Sequence, residues 1–387
     1  MNELRLRFGI LLEQTDTKFL RYLHRQIDWN TRMFSIMGSR GTGKTTLLLQ
    51  YIKNNLDINK TLFVSADDIY FTENRLFHLA EDFVKYGGKH LFIDEIHKYY
   101  DWSREIKMMY DFLPELQVIF TGSSILDIYK GQADLSRRVI NYTMHGLSFR
   151  EFIAMKTGKE YKTYSLEEIL NHKVKIDEKP LPLFKEYLET GYYPFFVEGN
   201  YLERLKNIIN ITMEVDIPAY TGMTISTARK LKQLLYIIAQ NVPFKPNLTK
   251  LGEHIGAHRN KVGEYLIFLE RAGMINRLMT HNKGTRGLSK IQKIYLNNTN
   301  IGTAIASQNQ NIGNVRETFF FNQTLVNNNV ISSERSDFQI DDMTFEIGGK
   351  NKKQTQIKDV EKGYIVKDNI EYGIGNIIPL WTFGFMY

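Results

Sequence analysis

Between Gly38 and Thr46 the chain runs Gly38, Ser39, Arg40, Gly41, Thr42, Gly43, Lys44, Thr45, Thr46. Glycines at three of the first six positions let the backbone bend sharply, so that successive N–H groups turn inward toward a common point where an anion would sit. The spacing is G-x-x-x-x-G-K-[ST], the phosphate-binding loop. It adds the Lys44 ammonium, which would reach the outer phosphates of a nucleoside triphosphate, and the Thr45 hydroxyl, which would ligate magnesium. Such a loop must be held between a strand and a helix. Residues 33–37, MFSIM, predict a short buried strand, and TTLLLQYIKNN predicts a leucine-rich helix whose N-terminus adds partial positive charge.

Carboxylates follow in a second place. KHLFIDEIHKY sets an apolar strand, residues 90–93, directly before Asp94 and Glu95. Acids at the C-terminal end of a parallel strand lie where such sheets bind their ligands, so Asp94 is the expected Mg²⁺ partner and Glu95 the expected general base. A third strand, LQVIFTGSS, ends on Thr121, Ser123 and Ser124, hydroxyls suited to sensing a γ-phosphate or orienting water. Ser123 is the preferred one, and a helix N-cap near Ile125 is compatible with that role. SRRV then supplies Arg137 and Arg138, either of which could stabilise transferring phosphoryl charge. Arg40 counts among the nucleotide-facing loop residues, and neither it nor His97 is given a catalytic role.

The elements that position these groups belong to an ordinary globular composition. The 387 residues suggest two to three domains, with 43% hydrophobic and 24% charged residues. The absence of cysteine excludes disulfides, thiolate metal sites and cysteine nucleophiles. No apolar run approaches the roughly 18 residues that span a bilayer, and MNELRLRFGILLEQTD has no apolar leader core. A cytoplasmic protein without membrane association is expected. The net charge of +7 is compatible with a nucleic-acid partner and equally with a plain soluble surface.

Taken in order, GSRGTGKTTLL, LFIDEIHK, VIFTGSSIL, SRRV followed by GLSFREF, and the distant FEIGGKNKK with IPLWTFGFMY give a chain that resembles a family of prokaryotic AAA+-superfamily ATPases. These have an N-terminal P-loop domain and a C-terminal region of restriction-endonuclease-like fold, and the resemblance covers most of the chain. It implies ATP and Mg²⁺ as ligands and a five-stranded parallel sheet. It also implies an extra strand between the phosphate loop and Asp94, a place filled by TLFVSADD, residues 61–68. It favours Arg138 over Arg137 as the finger. The alternation of strand and helix patterns predicts a parallel α/β sheet independently, over an ATPase domain of residues 1–150.

Residues 151–235 carry helical patterns broken by KPLP and GYYP and predict a helical lid or connector; Ser165 with Glu168 forms a capping box. Pro243 and Pro246 mark a boundary within a third segment, 236–289, which has the plan of a winged helix. Leu248, Leu251 and Ile255 fall at helical spacing, Gly256 turns the chain, and Val262, Leu266 and Leu269 line a second helix ended by Gly273. Arg259, Asn260 and Lys261 open that helix as candidate DNA contacts, with Lys283 and Arg286 on the loop between two strands. For residues 290–387 the resemblance implies an endonuclease-like fold with metal-binding carboxylates at Glu317, Asp337 and Glu346. Active members carry a lysine one residue beyond the glutamate's neighbour, where this chain has Gly348; Lys350, Lys352 and Lys353 are the nearest substitutes. A degenerate binding module is therefore expected. The combined expectation is ATP hydrolysis coupled to C-terminal modules that meet double-stranded DNA, a protein partner or another copy of the chain. The alternatives are a nucleotide-regulated switch with negligible turnover and an ATP-dependent metal nuclease.

Overall fold

The structure is a computed structural model that describes residues 1–122, 135–241, 243–280, 291–306, 311–353 and 357–387. The chain divides into two compact units, Met1–Gly146 and Leu147–Tyr387.

In the first unit five strands form one sheet: β1 (Met33–Met37), β2 (Thr61–Ser65), β3 (His90–Asp94), β4 (Gln117–Gly122) and β5 (Ile140–Thr143). The order is β2-β3-β4-β1-β5, and every pairing is parallel. Helices cover both faces of such a sheet, which is why its central strands are continuous apolar runs. All five residues of β1 are buried, whereas β5, at the edge, is mostly exposed. The expected extra strand forms over Thr61–Ser65 and stops short of residue 68, because Ala66 onward turns away from the sheet. It takes the outer edge beside β3. The strand that separates β1 from β3 is β4, a long-range insertion that places Thr121 between the loop and Asp94. The core beneath β2, β3 and β4 is closed by Leu76, Phe83, Ile106 and Met109 from the helices Leu76–Lys85 and Trp102–Phe112.

The second unit opens with helices whose ends are fixed locally. Ser148 and Glu151 form a capping box on Phe149–Thr157, and Ser165 with Glu168 caps Leu166–Leu170 as its spacing predicts. Helix Tyr201–Ile211 passes through a π-helical turn, Thr212–Asp216, before Ile217–Thr221 and the longer Ile225–Gln240. Helices Leu248–Ile255 and Arg259–Arg271 follow, joined at Gly256, whose φ of 62° is left-handed. Strands β6 (Ile275–Met279) and β7 (Ile291–Leu296) pair antiparallel, and Phe244 bridges to Ile294. The expected boundary at 289/290 thus falls between two hydrogen-bonded strands. A last sheet is mixed, in the order β12-β11-β10-β9-β8, with β8 (Val330–Ser332), β9 (Phe338–Ile340), β10 (Met343–Gly348), β11 (Gly363–Lys367) and β12 (Ile377–Pro379). Helix Ile312–Thr324 packs on it through Phe320, whose ring lies 5.1, 5.3 and 4.8 Å from those of Phe338, Phe345 and Phe383. Among the described residues, no helix is long and apolar enough to cross a membrane.

Candidate functional site

The loop leaves the buried end of β1 and enters helix Lys44–Asn55 through Gly43, which sits at φ 94°, with Gly41 at 78°. Both angles lie in the left-handed region that side chains disfavour. Gly38 has a different reason to be glycine: a Cβ there would fall 2.3 Å from the Met144 carbonyl oxygen. Among the described residues no side-chain hydrogen bond caps the helix at Gly43, and the N-terminus of a helix favours an anion. Thr42 is buried and its hydroxyl donates to the Ser39 carbonyl at 2.9 Å, bracing the bend. The buried Lys44 ammonium donates to the carbonyls of Gly38 (2.8 Å) and Ser39 (2.9 Å), lying across the loop. Thr46 points outward on the helix and is exposed.

Asp94 ends β3 and is buried. Thr45 donates to its Oδ2 at 2.7 Å, and Thr121 of β4 donates to its Oδ1. Thr121 also accepts the Glu95 backbone N–H at 3.2 Å. Burial pushes the Asp94 carboxyl up from its ordinary value, and Glu95 adds to that; the two hydroxyls and Lys44 pull the other way. Glu95 itself sits at φ 52°, an unusual backbone for a side-chain-bearing residue. Its carboxylate is 3.7 Å from Arg40 and 3.8 Å from the His97 ring. The structure therefore brings Gly38 to Thr45, Asp94, Glu95 and Arg40 together. Ser123 and Ser124 lie outside the described residues, and the hydroxyl that joins the two acids is Thr121, which the sequence reading ranked below Ser123.

Sequence reasoning missed one residue. Arg21, buried, donates to the carbonyls of Thr42, His145 (2.7 Å) and Gly146 (2.8 Å), tying the loop to the chain beyond β5. No motif marks it, since its partners lie far off in sequence. The neighbouring His145 side chain is pushed down to about 4 by burial and by the Arg21 charge.

Arg138 is elsewhere. It precedes β5, whose Ile140 pairs with Phe34 near the start of β1, whereas the loop follows the end of β1. The sheet separates them by roughly 15 Å of strand. There Arg138 pairs with Asp111 at 3.0 Å and lies over the Tyr110 ring, in an open cleft of about 330 Å³ that Arg137 also lines.

In the second unit, Arg259, Asn260 and Lys261 are exposed at the start of their helix, with Lys261 paired to Glu264 at 2.9 Å. Lys283 and Arg286 lie outside the described residues. Glu317, Asp337 and Glu346 are each engaged by lysine: Lys293 stands 3.3 Å from both Glu317 and Asp337, and Lys352 stands 2.8 Å from Glu346. Among the described residues, no three His, Cys, Asp or Glu side chains are grouped so as to hold a metal ion. The three carboxylates expected as one ligand set therefore do not fit that role.

Fold and loop define a P-loop nucleotide-binding α/β unit. Residues 30–153 match a family described as "AAA domain", and residues 181–311 match a family described as a domain of unknown function (DUF8612). Over 323 residues, 78% of this chain, the sequence is 24% identical to the uncharacterized protein MJ1637 of Methanocaldococcus jannaschii, and the match spans 66% of that protein, just under two thirds of its length. Among solved structures, the Walker-type ATPase PABY2304 of Pyrococcus abyssi is similar at a TM-score of 0.47 and 11% identity, covering 74% of this chain and 96% of that one. A DNA polymerase III gamma subunit-related protein of Thermotoga maritima is similar at 0.26 and 14%, covering 67% and 83%. Likeness at these scores assigns nothing to this chain.

Proposed function

We propose that the N-terminal unit binds ATP with Mg²⁺ and hydrolyses it. The observation that carries this reading is the linked set Thr45–Asp94–Thr121–Glu95, assembled from three elements beside a glycine loop with Lys44 buried against it. Thr45 and Asp94 would hold Mg²⁺, which when bound would supply positive charge to neutralise the phosphates. The residues fit that ion: a hydroxyl and a carboxylate already face each other at 2.7 Å. Lys44 moves from the loop carbonyls to the outer phosphates, and the first amides of helix Lys44–Asn55 hold the remaining phosphate oxygens. Glu95 takes a proton from the attacking water. Its pairing with Arg40 makes release of that carboxylate a step in the cycle, which also supports the alternative of a switch that turns over negligibly.

Calorimetry with ATP and Mg²⁺, paired with steady-state phosphate release, tests both readings. Lys44→Ala is expected to weaken nucleotide uptake, and Glu95→Gln to keep uptake while slowing release about a hundredfold or more. Uptake without release in the unaltered chain selects the switch. No uptake by folded protein removes both.

For the second unit, the turn at Gly256, the exposed start of helix Arg259–Arg271 and the β6–β7 hairpin with Phe244 support a winged helix that meets duplex DNA through Arg259, Asn260 and Lys261. Cationic contacts to phosphates require affinity that falls steeply with salt.

A further inference from the structure

Three carboxylates and two lysines crowd the junction of β7, helix Ile312–Thr324, and strands β9 and β10. Lys293 comes from β7, Glu317 from the helix, Asp337 from just before β9 and Glu346 from β10. Lys293, largely buried, holds Glu317 and Asp337 at once, 3.3 Å from each. The remaining lone pairs of that pair are partly spoken for. Tyr295 donates its hydroxyl to Glu317 at 2.7 Å, and Asp337 accepts the Ile347 backbone N–H at 3.0 Å. Glu346 is 1% exposed, and its Oε2 is buried with no hydrogen-bond partner.

Two oxygens of separate carboxylates aimed at one point make the beginning of a cation site, and here the cation is covalently part of the chain. We infer that the Lys293 ammonium is the built-in occupant of a carboxylate pair, Glu317 and Asp337, and that it keeps divalent metal out of this junction. Electrostatics requires some positive charge at that point. Burial and the Asp337 charge push the Glu317 carboxyl up, and Lys293 opposes them. Without it, two partly buried like charges face each other, and a hard divalent ion with oxygen preference is the natural replacement. Lys352 acts in parallel on Glu346. A Cβ at position 348 would fall 2.6 Å from the Lys352 stem, so glycine there is what lets that side chain cross β10 and reach the glutamate. The junction is held by ammonium groups from β7 and from the turn after β10, and this holds whether or not the first unit hydrolyses ATP.

Mn²⁺ titration of the nucleotide-free full chain, by calorimetry with circular dichroism as the check on folding, tests it. The unaltered protein is expected to show no Mn²⁺ uptake that Glu317→Gln removes. Lys293→Met is expected to gain an uptake at least about tenfold tighter, with thermal stability lowered in metal-free buffer and recovered by Mn²⁺. Adding Glu317→Gln to Lys293→Met should abolish the gain. Should Lys293→Met fail to fold, Lys293→Gln, which retains a neutral amide to donate, serves the same reading. The inference is overturned if the unaltered chain takes up Mn²⁺ in a manner that Glu317→Gln abolishes, or if a folded Lys293 variant gains no uptake.

Discussion

Thr121 joins the two acids of the nucleotide site through one oxygen, donating to Asp94 and accepting from the Glu95 amide. Thr121→Val keeps the β-branched shape that suits a strand and removes only the hydroxyl. Turnover is expected to fall about tenfold or more, with a smaller change in nucleotide affinity, read by phosphate release against calorimetry. Asp94 also sets a pH dependence. Its carboxyl is raised by burial, so the metal-free fold is favoured while Asp94 is protonated, and that contribution is lost as pH rises through the raised value. Magnesium needs the ionised form. Mg²⁺-dependent ATP affinity should therefore climb with pH over the same acid range, and Asp94→Asn should flatten the profile. His145 has the opposite sign. Its folded value of about 4, against 6.5 in the open chain, means stability is intact above 6.5 and lost as pH falls toward 4. His145→Gln should remove that loss in acid denaturation monitored by circular dichroism. The loop residues and both acids were legible in the sequence because their spacing is local. The link Thr121 makes between the acids, and Arg21 bracing Thr42, were not, since each depends on which strand or terminus lies alongside.

At the scale of elements, what was readable is again what neighbours in sequence decide. The Ser165–Glu168 box, the apolar run of β1 and the glycine that turns the chain at 256 each state their structure within a few residues. The order of the sheet does not. Nothing in VIFTG says that β4 will slide between β1 and β3, because that placement is settled by its pairing with β1, across more than eighty residues. The same holds for β7, which pairs with β6 while sending Lys293 to a helix and to the residue just before β9. A sharp test lies in helix Leu248–Ile255. A Cβ on Gly252 would sit 2.3 Å from the Ala257 carbonyl oxygen, a backbone atom that cannot step aside without opening the turn. Gly252→Ala is expected to cost about 1–3 kcal/mol in chemical denaturation and to weaken any duplex binding by displacing Arg259, Asn260 and Lys261 together.

On the scale of the whole molecule, the phosphate loop and Arg138 lie at opposite ends of one sheet. If Arg138 completes the site, the loop it serves belongs to another copy. Arg138→Ala is then expected to reduce turnover about tenfold or more. Mixing it with Lys44→Ala should restore part of the loss, because the intact loop of one chain meets the intact arginine of the other; phosphate release across mixing ratios reads this directly. A net charge of +7 gives the molecule a cationic field, so a duplex affinity series in salt separates that general attraction from the contacts proposed for Arg259 and Lys261, whose removal should lower the slope if those contacts form. If the arginine does act between copies, the opposed placement narrows the assemblies that serve every loop. A dyad does so only reciprocally, with the two sheets laid antiparallel so that each arginine reaches the other copy's triphosphate. A directional arrangement, in which every copy gives at one end and receives at the other, does so as a series that either closes on itself as a ring or grows without limit.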